Sequence, residues 1–268
     1  MALLGKNAVV FGVANKWSLA WAIARSWRGA GANVALVCAS ERISSSVWKL
    51  AERLQEDDVS TVSCSQDMKV LTCDVTVEEE VRGTFADLNT LFDGKLDTLL
   101  HSVAFAPAGA LSKNYSDVTF EEYCTTQNTT AFSLNRLCRE AKPMLIQSGE
   151  GSVISLSFIG SSYAVPNYHV VGVAKSALES STRYLAAEFG KDNVRVNAIS
   201  PGPINTAAAR GIPNFRELER SIYEKSMLGR KVLPEEVASI ATFLASNDSS
   251  CITGQTIYAD CGFSVNRS

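Results

Sequence analysis

Residues 7–24 read NAVVFGVANKWSLAWAIA. The stretch opens on a short, almost continuously apolar run, NAVVFG (7–12), the pattern of a parallel strand covered on both faces. It turns at Gly12 and, from Ser18, takes up the apolar spacing of an amphipathic helix, SLAWAIARSWRGAG (18–31). Strand, glycine turn and helix in that order make the first unit of a doubly wound α/β sheet. In such a unit the turn's backbone N–H groups and the helix N-terminus receive a pyrophosphate.

The pattern repeats outward. NVALVCA (33–39), VLTCDV (70–75), LDTLLHSVA (96–104), GSVISLS (151–157), VRVNAIS (194–200) and QTIYADC (255–261) are further strand candidates. Between them lie amphipathic stretches such as VEEEVRGTFADLNTLF (77–92), FSLNRLCREAKPMLIQSG (132–149), AKSALESSTRYLAAEFG (174–190) and PEEVASIATFLAS (234–246). Several end at Gly, which suits the left-handed C-terminal position. The alternation predicts a single Rossmann-type, doubly wound parallel sheet of about seven strands with helices on both faces. No repeat, low-complexity run or Pro/Gly/Ser linker divides the chain, so 1–268 reads as one dinucleotide-binding and catalytic domain. Segments 40–69, 105–120 and 203–230 are the least regular and too long for minimal connections. Ligands bind beyond the carboxyl ends of the strands, which makes these segments candidates for the site.

Composition narrows the function. A hydrophobic fraction of 46% with 20% charged residues is that of a globular protein. A net charge of -3 and two histidines argue against a nucleic-acid footprint. No apolar run approaches the ~18 residues of a membrane span. With neither a signal-peptide nor a transit-peptide pattern at the N-terminus, a cytoplasmic location is expected. The seven cysteines, Cys64 among them, are odd in number, scattered and free of Cys-x-x-Cys pairs; they read as reduced thiols without a metal site.

The first turn carries Gly12 alone of the G-x-G-x-x-G pattern, with Ser18 able to add a hydroxyl to a phosphate or to cap the following helix. At the tip of the second strand, CASER (38–42), Ala39 cannot bond a ribose. Ser40 and Arg42 suit a 2′-phosphate, whereas Glu41 would repel one, so NADH and NADPH both stand as cofactors. Asp74 suits an adenine amino group or, equally, a cap for a helix starting at Thr76. In PNYHVVGVAKSAL (166–178), Tyr168 and Lys175 are seven positions apart, almost two helical turns, which stacks phenol and ammonium on one face. A cation so placed is expected to lower the phenol's pKa. His169 then points about 100 degrees away, and both His101 and His169 read as structural.

Three stretches resemble the short-chain dehydrogenase/reductase family and, within it, the divergent branch of enoyl-acyl-carrier-protein reductases: GVANKWSLA (12–20), HSVAFAP (101–107), and SFIG (157–160) through PNYHVVGVAK (166–175) to VRVNAISPGPINT (194–206). Six residues separate Tyr168 from Lys175, as in that branch, whereas most of the wider family has three. The resemblance extends to ITGQTIYAD near the C-terminus. It implies that Tyr168 bonds the thioester carbonyl, that Lys175 bonds the nicotinamide ribose, and that Ile204 and Thr206 contact the carboxamide. It further implies cofactor contacts from Gly12, Val13, Ser18 and Leu19 in the first turn, from Asp74 and Val75, and from Ser102, Val103 and Ala104. The implied substrate is an acyl thioester on acyl carrier protein or coenzyme A, the implied assembly a homotetramer, and the implied covering segment about 203–230, mobile over 205–225 without ligand.

The chain departs from the branch at two places. Phe158 stands where many relatives carry a tyrosine, which leaves it a packing or shielding role beside the reacting double bond; Ala104 replaces a frequent glycine. Asn128, Ser155 and Ser157 fall near the proton-relay positions of ordinary short-chain reductases and keep a carbonyl or 3-ketoacyl reductase as the alternative. A catalytically silent dinucleotide-binding protein is the remaining one.

Overall fold

The computed structural model describes residues 2–57 and 67–266. Strands β1 (Asn7–Phe11), β2 (Asn33–Cys38), β3 (Lys69–Thr72), β4 (Thr98–His101), β5 (Ser152–Leu156), β6 (Arg195–Pro201) and β7 (Thr256–Ala259) form one sheet in the order β3-β2-β1-β4-β5-β6-β7. Every neighbouring pair is parallel, with Val9 level with Ala35 on one side and Leu99 on the other. This is the doubly wound α/β fold.

Side chains of a strand alternate between faces, and here both faces are covered. Val9, Phe11, Val37, Leu99 and Val153 pack against helices α3 (Glu78–Leu91), α6 (Ser133–Ser148) and α7 (His169–Phe189). Ala8, Val10, Leu36, Leu100 and Ile154 pack on the other side against α1 (Leu19–Gly29), α2 (Glu41–Asp57) and α9 (Pro234–Ala245). Short α4 (Ala108–Leu111) and α8 (Phe215–Glu224) lie at the carboxyl end of the sheet, and α5 (Phe120–Gln127) packs against α7. A five-residue π-helical turn, Asn128–Phe132, joins α5 to α6.

Two readings of the sequence need correcting. The strand expected over 96–104 is confined to Thr98–His101: Ser102 still donates to the Phe11 carbonyl, but β1 ends there and leaves no neighbour for the next residues. Segment 40–69 is not irregular throughout, since α2 occupies Glu41–Asp57. Its stripe of Ile43, Val47, Leu50, Ala51 and Leu54 has helical spacing, masked in the sequence by the serines and charges between. Cys64 lies outside the described residues. Of the others, Cys38, Cys73 and Cys138 are buried free thiols, while Cys124 and Cys251 are exposed. Among the described residues no helix is long and apolar enough to cross a membrane.

Gly12 closes β1 at φ 95°, and a Cβ there would lie 2.0 Å from the Ser102 carbonyl oxygen. Its N–H and that of Val13 both bond the Val37 carbonyl, so the turn cannot shift to relieve the clash. Gly12→Ala is expected to cost about 3 kcal/mol or more of folding stability, read as a lowered urea midpoint at unchanged slope.

Candidate active site

A cleft of about 560 Å³ opens beyond the carboxyl ends of β1, β4, β5 and β6. It sits where the strand order reverses between β1 and β4, the place at which this architecture binds ligands. Gly12, Val13, Ser18 and Leu19 line it from the first turn, and Ser102, Val103 and Ala104 line it from the segment after β4. Phe158, Tyr168 and Lys175 line it as well, as do Ile204 and Thr206. The residues fit a dinucleotide: the N-terminus of α1 opens on the cleft through Ser18 and Leu19 and carries no acidic residue in its first turn. Ser18 caps that helix, accepting from the Trp21 N–H at 3.2 Å and donating to the Asn15 carbonyl at 2.8 Å.

Four expected cofactor residues stand outside the lining. Ser40 and Arg42 are exposed at the start of α2, where Ala39 and Ile43 border the cleft instead. Between them Glu41 is turned away, accepting from Thr72 Oγ1 at 2.8 Å and Ser44 Oγ at 3.1 Å. Asp74 does not cap a helix at Thr76. Its carboxylate accepts from the Thr76 N–H and hydroxyl within a turn, while α3 starts at Glu78 behind Val77. The Val75 side chain is buried in the core and its carbonyl accepts from Arg136.

Tyr168 occupies the cap position of α7, and its carbonyl accepts the first helical bond from Gly172 at 2.6 Å. Its ring meets Phe158 edge-on with centroids 4.9 Å apart. It also presses against Gly160, where a Cβ would lie 2.5 Å from a ring carbon; a Cβ on Gly172 would lie 2.6 Å from the Gly160 carbonyl. These two glycines set the ring's position. The sequence offered only one hint of it, a glycine four residues into the pattern of α7, where helix propensity disfavours one.

The expected lowering of the Tyr168 pKa is not found. Burial raises it well above the ordinary value, so the group is an un-ionised donor at neutral pH. Lys175 turns its Nζ to the Leu156 carbonyl at 2.6 Å, and burial lowers its pKa to about 8 against the opposing charge of Glu179. His101 is fully buried, bonds Ser133 through Nε2, and is pushed down to about 3 by burial and by the Lys175 charge. His169 accepts from the Val170 N–H at Nδ1, which makes Nε2 the donor to the Lys113 carbonyl and fixes the start of α7. Of the relay candidates, Ser155 pairs with Thr182 on α7, Ser157 donates to Glu179, and Asn128 begins the π-helical turn.

The sequence profile of the family described as Enoyl-(Acyl carrier protein) reductase matches residues 12–264. The chain belongs to this family. It is 39% identical over 264 residues to the Bacillus subtilis (strain 168) protein named enoyl-[acyl-carrier-protein] reductase [NADH] FabI, covering 98% of each chain. It is 38% identical over 263 residues to the FabI of Nostoc sp., again covering 98% of each. The solved enoyl reductase of Aquifex aeolicus VF5 superposes with a TM-score of 0.92 at 32% identity over 100% of both chains. That of Bacillus cereus, solved with NADP+ and indole naphthyridinone, gives 0.91 at 38% identity over 98% of both.

In this enoyl reductase Gly160→Ala is expected to displace the Tyr168 ring and lower kcat about a hundredfold, with nucleotide affinity changed little. Steady-state kinetics beside calorimetric nucleotide binding separate the two effects. A second expectation follows from Lys175, which is cationic below its pKa and neutral above it. The value of kcat/KM for the nucleotide, which reports the free protein, is expected to fall as pH rises through about 8, far below the 10.5 of an ordinary lysine.

Proposed function

We propose that this chain reduces the trans-2 double bond of an enoyl thioester on acyl carrier protein, drawing hydride from a reduced nicotinamide dinucleotide, as in fatty-acid synthesis. The observation that carries the reading is an un-ionised Tyr168 phenol and a buried Lys175 lining one cleft at the switch point of the sheet. A bound nicotinamide supplies the hydride. As hydride reaches the β-carbon, charge develops on the thioester oxygen. The Tyr168 hydroxyl donates to that oxygen, stabilising the enolate-like transition state more than the ground state, and a proton from water or through Tyr168 then reaches the α-carbon to complete the saturated thioester. Lys175 bonds the nicotinamide ribose and adds positive field. Ile204 and Thr206 orient the carboxamide, and Phe158 packs Tyr168 and shields the reacting bond.

The rest of the reading follows from the same cleft. Residues 1–268 act as one domain, with 203–230 covering the substrate and coenzyme A as a second possible carrier. Gly12, Val13, Ser18 and Leu19 hold the pyrophosphate end, while Ser102, Val103 and Ala104 border the nicotinamide. Ser40, Arg42, Asp74 and the backbone of Val75 serve the adenosine end from its rim. With Glu41 engaged by Thr72 and Ser44, Arg42 is available to a 2′-phosphate, so NADH and NADPH are both taken as cofactors. Four copies assemble, as the resemblance implies.

One pair of bonds favours this over a carbonyl or 3-ketoacyl reductase. Thr182 donates to the Leu178 carbonyl, so Ser155 spends its proton on Thr182, and Ser157 spends its own on Glu179. Neither serine retains a proton for a substrate carbonyl. The test is oxidation of NADH and of NADPH with a trans-2-enoyl thioester and, separately, a 3-ketoacyl thioester. Enoyl turnover that falls about 10²–10³-fold in Tyr168→Phe is expected; turnover of the keto substrate alone would replace this reading by the alternative.

A further inference from the structure

Two side chains one turn apart on α7 hold two consecutive residues at the end of β5. Lys175 donates to the Leu156 carbonyl at 2.6 Å, and Glu179 Oε1 accepts from the Ser157 hydroxyl at 2.5 Å. Lys175 is 5% exposed and Glu179 8%. A carboxylate is costly to bury without a partner. Among the described residues Glu179 makes no ion pair within 4.0 Å; its one hydrogen-bond partner is a hydroxyl. Leu156, Ser157 and Phe158 all line the cleft, so whatever fixes this strand end also fixes the platform beneath Tyr168 and Lys175.

We propose that Glu179 is a positioning residue for the Tyr168 and Lys175 pair: with Ser157 it clamps the end of β5 on which Lys175 rests, and it sets a carboxylate one helical turn from the buried ammonium. The proposal rests on the role given to Lys175 above. The groups that bear on Lys175 are Glu179 on α7, His101 on β4, which burial keeps neutral, and the un-ionised phenol of Tyr168. The charged pairs on flanking elements, Lys113 with Glu122 and Lys142 with Glu188, are neutralised locally. Among the described residues Glu179 is therefore the one negative charge acting on this lysine from within the site.

The test uses the full chain with Glu179→Gln, Glu179→Asp, Ser157→Ala and the double variant Ser157→Ala/Glu179→Asp, with Lys175→Ala as control. In ¹³C-lysine-labelled protein without nucleotide, the Lys175 resonance is identified by its loss in Lys175→Ala and titrated. Glu179→Gln is expected to move this titration, and with it the basic limb of kcat/KM for NADH, downward by about one pH unit. Glu179→Asp keeps the charge and is expected to keep the limb. Ser157→Ala and Glu179→Asp each lower kcat about tenfold through the loosened strand end, and the double variant is no worse than either. A limb unmoved in Glu179→Gln, with activity lowered equally at every pH, overturns the proposal. If Glu179→Gln does not fold, additive losses in the double variant overturn it instead. Wild-type turnover in Lys175→Ala would remove the reading of Lys175 itself, which keeps the two failures distinct.

Discussion

The molecule depends on a backbone contact between Gly12 and the Ser102 carbonyl. Adjacent parallel strands β1 and β4 send their connections to opposite faces of the sheet, which opens a crevice between the helices above them. The two chains stay together one residue beyond the strands: β1 ends at Phe11 and β4 at His101, and Gly12 and Ser102 press on each other's backbone. Val37 on β2 fastens the turn through two N–H groups, so the opening sits at a fixed height on the sheet. From there one branch of chain supplies the α1 N-terminus and the other runs through 102–106 along the cleft floor. No side chain on residue 12 is compatible with this approach.

The second constraint is electrostatic. Holding Lys175 in the interior brings its pKa from 10.5 to about 8, which corresponds to about 3 kcal/mol of bias against the charged form. A lysine left at the surface would keep its charge without cost, but it would be screened by water and would do little to the field in the cleft. Burial makes the charge effective and precarious together. The same burial acts oppositely on Tyr168, since it disfavours the phenolate. The lysine is poised near its titration while the phenol is kept from it, and a hydrogen-bond donor is what a developing oxyanion requires.

Much of this was legible in the sequence. Strand runs buried on both faces leave an uninterrupted apolar trace, so β1, β2, β5 and β6 were found within a residue or so. The Tyr168 and Lys175 spacing was legible because it obeys helical geometry, though Tyr168 proves to sit at the cap and not inside α7. What escaped was whatever depends on contacts distant in sequence. The turning of Glu41 onto Thr72 needs the register of β2 with β3, the Gly160 approach needs the loop folded back on α7, and the Ser157 bond to Glu179 spans 22 positions. The expected shift of the phenol had the wrong sign because spacing reveals a neighbour's charge but not the desolvation that outweighs it. Helix α2 escaped for a simpler reason, since its one buried stripe is narrow and its other faces read as loop.

The segment expected to cover the cleft joins these constraints at Thr206. Thr206 lines the cleft together with Tyr168, and its hydroxyl accepts from the Ala209 N–H while its carbonyl accepts from the Arg210 N–H, so it also caps the turn that follows it. Ala207, Ala208 and Ala209 keep that turn narrow, and Ile212 and Phe215 carry the lining on into α8. On the outer side Arg210 lies over the indole of Trp17, 5.7 Å from its centre, and thereby ties the segment to the first turn. A cation–π contact at an exposed site contributes about 0.5–1 kcal/mol, close to thermal energy. The segment is thus held from one side by a tether that opens easily and from the other by a residue that lines the cleft. A group that engages the Thr206 hydroxyl therefore competes with the Ala209 N–H and acts on the cap of this turn directly.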